Sequence, residues 1–233
     1  MRVAVIGAGI IGVTTAYELA ADGHEVTVFE RRGSVAAETS FANAGVVAPG
    51  YVTPWAAPGM PLKVLGMMFS RHAAIRVRPG LDPSLPGWLW RWWRACRHDT
   101  WQANRTRMQR LAVFSRHRLH ELTTRLQLEY ERESGYLVLL REPKELASAR
   151  AGLKLLTELG GRFHLVDAAQ CRTLEPALNP DTALHAGIHL PDDEVGNCRQ
   201  FAHLLRTEAQ GLGARWCFHT VVERIVPGKS PQV

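Results

Sequence analysis

The chain has 233 residues, of which 46% are apolar and 21% are charged, and its formal net charge is +6. This composition is ordinary for a globular protein and excludes general disorder. The basic residues are interspersed with Trp and Leu rather than gathered in a block, so we do not expect nucleic-acid binding. The four cysteines are widely spaced without a CxxC pair. This spacing predicts reduced thiols, no metal site and a cytoplasmic location.

The first 30 residues predict a βαβ unit. Val3 to Ile6 is a β-favouring run typical of a strand buried on both faces. Ile10 to Ala21 has apolar residues near helical spacing, and the Asp-Gly pair that follows is a helix stop signal. Glu25 to Glu30 predicts the second strand, and the whole run has the length of one βαβ unit.

The turn between the first strand and the helix reads Gly7-Ala8-Gly9-Ile10-Ile11-Gly12. A GxGxxG pattern alone is weak, but here a strand precedes it, a helix follows it, and an acidic residue ends the next strand. Gly7 permits the tight turn, Gly9 lets the backbone approach a pyrophosphate, and Gly12 lets the helix pack closely on the strand. The helix N-terminus is then expected to bind the pyrophosphate of a dinucleotide.

Glu30 discriminates between dinucleotides. A carboxylate at this position accepts hydrogen bonds from the ribose hydroxyls and repels a 2′-phosphate, so NADP is not expected. Arg31 and Arg32 can instead favour a 2′-phosphate, lie in a solvated turn or, for Arg31, cover the adenine face. FAD and NAD both remain open on this unit alone.

The segment after the βαβ unit favours FAD. Instead of a further βα unit, the chain enters a small-residue loop from Glu38 to Gly45. Ser40 and Asn43 can donate hydrogen bonds to phosphate or flavin oxygens there, and Gly45 permits close approach to a cofactor. An ordinary surface loop is the alternative. Ser40 lacks the GxSxG context of a hydrolase nucleophile.

The remaining chain predicts alternating helices and strands. Helices are predicted within Pro86–Leu128, at Pro143–Leu159, Asp167–Leu174 and Cys198–Gly211, and strands at Gly135–Leu140, Phe163–Val166, Ala186–Leu190, Ala214–His219 and Val221–Val226. We expect Pro191 to Glu194 to be a solvated acidic turn rather than a metal site, and His185 and His189 to have core or surface roles. The Trp-rich helix near Trp88 fits packing against the protein better than a membrane interface, although both remain open.

Five stretches of the chain match one family in order: Val3–Arg31, Glu38–Lys63, Trp88–Arg97, Glu129–Leu139 and Gly187–Phe201. On these stretches the chain resembles the FAD-dependent D-amino-acid dehydrogenases of the small-subunit type, within the glycine/D-amino-acid oxidase superfamily. The resemblance implies an α/β fold, a Rossmann-type FAD-binding domain with an inserted α+β substrate domain. Residues 1–45 would form the FAD-binding βαβ unit and flavin loop, 46–191 the substrate-domain portion, and 192–233 the return to the FAD-binding domain. Members of the family run well beyond residue 233, so we expect a chain truncated at its C-terminus.

The resemblance also implies a set of FAD contacts and leaves the catalytic residues unknown. Val222 would meet the adenine edge from a strand at Thr220 to Glu223. The implied cofactor-binding residues are Val3, Ile6, Gly7, Ala8, Gly9, Ile10, Ile11, Gly12, Tyr17, Glu30, Arg31, Ser40, Asn43, Ala44, Gly45 and Val222.

The implied reaction is oxidative deamination of D-amino acids, D-alanine foremost, to 2-oxo acids and ammonia. Electrons would pass to a respiratory acceptor, and the protein would be cytoplasmic or peripheral on the inner face of the cytoplasmic membrane. Two alternatives stay open. One is oxidation of another small amine such as glycine, sarcosine or L-proline, and the other is a non-catalytic FAD-binding chain that needs a partner.

Overall fold

The computed structural model describes residues 1–50, 52–68, 83–158 and 160–228. Its elements in chain order are β1 (Arg2–Ile6), α1 (Ile10–Ala21), β2 (Glu25–Phe29), β3 (Val46–Val47), α2 (Met60–Met68), α3 (Leu85–Ala95), α4 (His98–Leu126), β4 (Glu133–Leu140), α5 (Pro143–Glu158), β5 (His164–Val166), α6 (Ala168–Leu174), β6 (Ala186–Val195), α7 (Cys198–Gly211) and β7 (Arg215–Cys217). The chain divides into a first unit, Met1–Ala48 with Arg118–Val233, and a second unit, Pro49–His117. The domain boundaries predicted at residues 45 and 191 stay a prediction.

A three-stranded parallel sheet in the order β1-β2-β7 carries the predicted nucleotide-binding turn. The central strand β2 buries Val26 and Val28 completely, as expected of a strand covered on both faces. Helices α1 and α7 contact each other beside this sheet. They contribute Val13 and Leu205 to the main core, where neither side chain retains exposed surface. Burial of each such side chain contributes about 1.5–3 kcal/mol, so this core holds α1 in place beside the sheet.

The C-terminal part of α4 belongs to the first unit and is tied to α1. The guanidinium of Arg118 donates to both carboxylate oxygens of Glu18, at 2.8 and 2.6 Å. The same pairing, together with a bond to Glu121, raises the pKa of Arg118. Arg125 donates to the Tyr17 hydroxyl at 2.7 Å. These bonds fix the far end of the helix whose N-terminus forms the nucleotide-binding turn.

An antiparallel sheet in the first unit is built on β6, which pairs with β3, β4 and β5. Its small core contains Leu140, Leu156, Ile188 and Leu190. Strand β6 runs from Ala186 to Val195, so the prediction of a solvated turn after residue 190 is wrong.

Neighbouring side chains and strands explain why the acidic run stays in the strand. Asp193 and Glu194 are only 2% and 6% exposed, and the backbone of Glu194 is paired with both β3 and β4. The Glu194 carboxylate lies 2.9 Å from the His120 ring, and Asp192 binds the Arg162 guanidinium. Pairing of this kind offsets the desolvation of carboxylates that would otherwise favour an exposed turn.

The prediction of a strand from Val221 to Val226 is also wrong. This segment has no regular secondary structure apart from one isolated bridge at Val226. The β-branched residues favour an extended backbone, but a strand also needs a neighbour that supplies hydrogen-bonding partners. Strand β7 is likewise shorter than predicted, from Arg215 to Cys217.

The regular secondary structure described in the second unit is helical. It contains α2, α3 and the part of α4 that precedes Arg118. Across the described ranges of both units, no helix combines the length and apolarity that crossing a membrane requires.

Candidate cofactor site

A groove of about 430 Å³ opens in the first unit at the carboxyl ends of β1 and β2. This edge of a parallel sheet is where open α/β folds bind ligands. The groove is lined by Ile6, Gly7, Gly9, Phe29, Glu30, Arg31, Ala37, Glu38, Thr39, Ser40, Thr220, Val221 and Val222. The structure therefore brings together seven of the residues predicted to bind the cofactor.

Three glycines shape the turn between β1 and α1, and two of them, Gly7 and Gly9, line the groove. Gly7 has φ +93°, a conformation that side chains rarely adopt, and its N–H donates to the Phe29 carbonyl at 2.8 Å. A Cβ on Gly12 would collide with the Gly7 carbonyl, so a larger residue would push α1 off β1. A Cβ on Gly9 would meet only the Ser40 hydroxyl, at 3.3 Å, in the space between α1 and the loop.

The Glu30 carboxylate is fixed at the end of β2 by backbone donors. The N–H of Ala8 donates to Oε2 at 2.7 Å, and the N–H of Arg32 donates to Oε1 at 2.7 Å. A carboxylate has about four acceptor positions, so these two bonds leave capacity for ribose hydroxyls. The ribose role of Glu30 stays a prediction.

Glu38 was missed as a site residue by the sequence analysis. Its carboxylate accepts both bonds from the Arg31 guanidinium, at 2.8 and 2.6 Å, and one from Arg32 Nε at 2.8 Å. These hydrogen bonds hold the pKa of Glu38 below its ordinary value and raise the pKa of Arg31. The two arginines that follow β2 are thus directed at Glu38. The sequence signal that could have identified Glu38 is a carboxylate that follows two adjacent arginines by a few residues.

Ser40 lies at the N-terminus of α1. Its hydroxyl oxygen accepts the Ile10 N–H at 3.0 Å. The first N–H groups of a helix have no partner within the helix and attract anions. Ser40 satisfies one of them and keeps its own O–H available as a donor toward the groove. The loop from Glu38 to Ser40 therefore adds a hydroxyl to the anion-binding end of α1.

The far wall of the groove is formed by the segment after β7. Glu30 donates its N–H to the Cys217 carbonyl, and its own carbonyl accepts the Thr220 N–H, both at 2.9 Å. These bonds bring Thr220, Val221 and Val222 alongside Glu30. Val222 thus lines the groove from a segment without regular secondary structure rather than from the predicted strand.

The other predicted residues lie outside this groove. Asn43, Ala44 and Gly45 line a separate cavity of about 390 Å³ with Glu131 and the turn from Val195 to Arg199. Gly45 has φ +63°, and a Cβ there would run into the Gly196 carbonyl.

Four predicted residues belong to the frame of the βαβ unit instead. Val3 pairs with Val26 in the sheet, Tyr17 is buried in the core, Ala8 is buried beneath the turn, and Ile11 is exposed. Contacts of all the predicted residues with a cofactor stay a prediction.

The groove fits the adenosine and pyrophosphate portion of a dinucleotide. It offers a helix N-terminus without side-chain obstruction at Gly9, an oriented carboxylate at Glu30 and an apolar wall at Val221 and Val222. Within the described residues, no group of three or more His, Cys, Asp or Glu side chains is placed to hold a metal ion.

A family model described as FAD dependent oxidoreductase (DAO) matches residues 2–233. The chain belongs to the FAD-dependent oxidoreductase family. The FAD prediction and the Rossmann-type α/β fold class are confirmed by this membership. The alternative that the βαβ unit serves NAD is set aside.

Relatives and solved structures add to the family assignment. The chain is 44% identical over 228 residues to a D-amino acid dehydrogenase of Rhizorhabdus wittichii, covering 97% of this chain and 55% of that protein. It is 41% identical to a D-amino acid dehydrogenase of Vibrio cholerae, with 97% and 54% covered. The chain thus spans about half the length of these relatives. Glycine oxidase from Geobacillus kaustophilus shares the fold, with a TM-score of 0.61 and 20% identity over 97% of this chain and 49% of that one.

Proposed function

We propose that the chain is the FAD-binding part of an enzyme that oxidatively deaminates D-amino acids, with D-alanine as the first substrate to test. The observation that carries the proposal is the groove at the end of β1 and β2, where α1, Glu30 and Ser40 converge in a member of this family. The substrate class is supported by the 44% identity to a D-amino acid dehydrogenase.

In this proposal the described residues bind and orient the cofactor. The N-terminus of α1 and the Ser40 hydroxyl hold the pyrophosphate, and the Glu30 carboxylate accepts hydrogen bonds from the adenosine ribose. Bound FAD would accept the two electrons removed from the amino acid. The products would be a 2-oxo acid and, after addition of water, ammonia. The electrons would go on to a respiratory acceptor, with the protein cytoplasmic and peripheral on the inner face of the membrane.

The test separates cofactor binding from turnover. Purified protein is titrated with FAD by fluorescence and then assayed by dye reduction with D-alanine, L-alanine, glycine, sarcosine and L-proline. We expect FAD binding and a preference for D-alanine. Turnover of glycine, sarcosine or L-proline in preference to D-amino acids would overturn the substrate class.

A second candidate is a FAD-binding chain that requires a partner polypeptide for catalysis. It is favoured by the coverage, because the chain spans about half the length of its relatives. The same assays, run on the 233-residue chain and on the longest reading frame that contains it, distinguish the two candidates. A short chain that is yellow but inert beside an active longer one supports the first candidate. A longer chain that also binds FAD but stays inert until a second polypeptide is added supports the second.

A further inference from the structure

The turn after β2 places two arginines beside the groove. Arg31 and Arg32 follow Glu30 directly, and Arg31 lines the groove together with Glu30. An arginine near the acidic position of a βαβ unit is the residue type that accommodates a 2′-phosphate on the adenosine ribose. By their type and place, these arginines therefore oppose the selectivity expected of Glu30.

Glu38 determines where the two guanidinium groups point. Its carboxylate accepts two hydrogen bonds from Arg31 Nη2, at 2.8 and 2.6 Å, and one from Arg32 Nε at 2.8 Å. Glu38 lines the groove as well, so the pairing takes place at the rim of the site. Both arginines are thus directed at the loop that carries Glu38.

Glu38 also balances the charge of this rim. Arg31 and Arg32 contribute two positive charges, and Glu30 and Glu38 contribute two negative charges. The hydrogen bonds from the arginines hold the pKa of Glu38 below its ordinary value, so the carboxylate is ionised at neutral pH. Without Glu38 the rim would carry a net positive charge, which attracts phosphate groups.

Fold stability is a weak reason for this arrangement. The Glu38 side chain is 42% exposed, and those of Arg31 and Arg32 are 59% and 57% exposed. Ion pairs as exposed as these stabilise a fold only slightly, because water and salt screen them. Their place beside the ligand groove is what gives them an effect on binding.

We propose that Glu38 is a specificity-determining residue, which withholds Arg31 and Arg32 from a 2′-phosphate and so restricts the groove to dinucleotides with a free adenosine 2′-hydroxyl. Glu38 acts through the two arginines and is a positioning residue, whereas Glu30 would meet the ribose directly. The inference rests on the proposed function only in placing the adenosine half of a dinucleotide in this groove.

The test compares two ligands that differ only in the 2′-phosphate. ADP-ribose and 2′-phospho-ADP-ribose compete with FAD for the flavin-free 233-residue chain, and flavin fluorescence reports the competition. The readout is the ratio of the two dissociation constants. We expect the wild type to prefer ADP-ribose. Glu38→Gln should reduce that preference about tenfold, because an arginine then becomes available for a charge-assisted hydrogen bond to the 2′-phosphate.

Matched variants separate selectivity from net charge. Glu25 binds Arg215 in a similarly exposed pair at the other end of β2, so Glu25→Gln makes the same charge change and should leave the ratio unchanged. Glu38→Asp keeps the charge and should retain most of the preference for ADP-ribose. Addition of Arg31→Gln and Arg32→Gln to Glu38→Gln should restore the preference, since the released arginines are then absent.

The ratio also excludes a merely structural role of Glu38, which would weaken the binding of both ligands alike. An unchanged ratio in Glu38→Gln would therefore overturn the proposal, and so would an equal change in Glu25→Gln. A wild type that binds both ligands equally, or neither, would overturn it as well. None of these results depends on turnover: a chain that shows the expected ratios but leaves D-alanine unoxidised would contradict the proposed function alone.

Discussion

Replacement of Gly12 by alanine tests how α1 is seated on β1. Gly12 is the third residue of α1, and an added Cβ would approach the Gly7 carbonyl oxygen well inside the 3.0 Å that real Cβ atoms keep. The obstacle is the backbone of Gly7, which is itself held by its N–H bond to the Phe29 carbonyl. The clash in Gly12→Ala can therefore be relieved only if α1 moves away from β1.

Two opposing effects set the magnitude. Alanine favours a helix over glycine by about 1 kcal/mol, which would stabilise the variant if nothing obstructed it. Overpacking costs about 1–3 kcal/mol, and a rigid backbone neighbour places Gly12→Ala at the upper end of that range. The expected net loss in the free energy of unfolding is about 2 kcal/mol. At a typical dependence on urea, the midpoint should fall by about 1 M.

Gly9→Ala is the matched control. Gly9 precedes α1 with an extended backbone, φ −68° and ψ 178°, and its added Cβ would meet only the Ser40 hydroxyl. We expect Gly9→Ala to leave the urea midpoint nearly unchanged but to weaken FAD binding, because the methyl group enters the space where a pyrophosphate approaches. Gly12→Ala should lower both the midpoint and the affinity for FAD.

Urea unfolding followed by far-UV circular dichroism, with FAD titrations by fluorescence, measures both quantities. A Gly12→Ala protein as stable as the wild type would refute the close contact between α1 and the Gly7 carbonyl. A Gly9→Ala or Gly9→Val protein that retains FAD normally would refute the placement of the pyrophosphate.

Three further predictions concern the rim of the site. Glu30 is held by two backbone N–H groups and is proposed to accept hydrogen bonds from the ribose. Glu30→Ala removes this acceptor, so the free energy of FAD binding should become less favourable by about 1–3 kcal/mol. An unchanged fluorescence titration would exclude Glu30 from the site. Because its folded-state pKa is lowered, Glu38 stabilises the fold above the unfolded pKa, and this contribution is lost as pH falls through the folded pKa. Glu38→Gln should therefore flatten the acid side of urea midpoints measured against pH, and an identical profile would contradict this. Gly45→Ala places a Cβ against the Gly196 carbonyl and should lower the free energy of unfolding more than Gly23→Ala does. Gly23 also has a positive φ, but a Cβ there meets nothing within 4 Å. Equal urea midpoints for the two variants would contradict this.

The sequence alone determined the βαβ unit and the ends of several helices. The bounds predicted for α1, Ile10 to Ala21, and for α7, Cys198 to Gly211, agree with the structure. These elements depend on local properties: the glycines at fixed spacing, the stop signal after α1, and the Asn197 side chain that accepts the Gln200 N–H at the start of α7. Neighbouring residues suffice to specify such features.

Tertiary structure decided what depends on partners distant in the chain. The acidic residues from Asp192 to Glu194 resemble a turn locally, yet they continue β6 because strands and an arginine far away in sequence pair with them. The run from Val221 to Val226 resembles a strand locally, yet it has no ladder to join within the described residues. In each case the deciding hydrogen bonds join segments whose approach depends on the whole fold, which no local pattern of residues encodes.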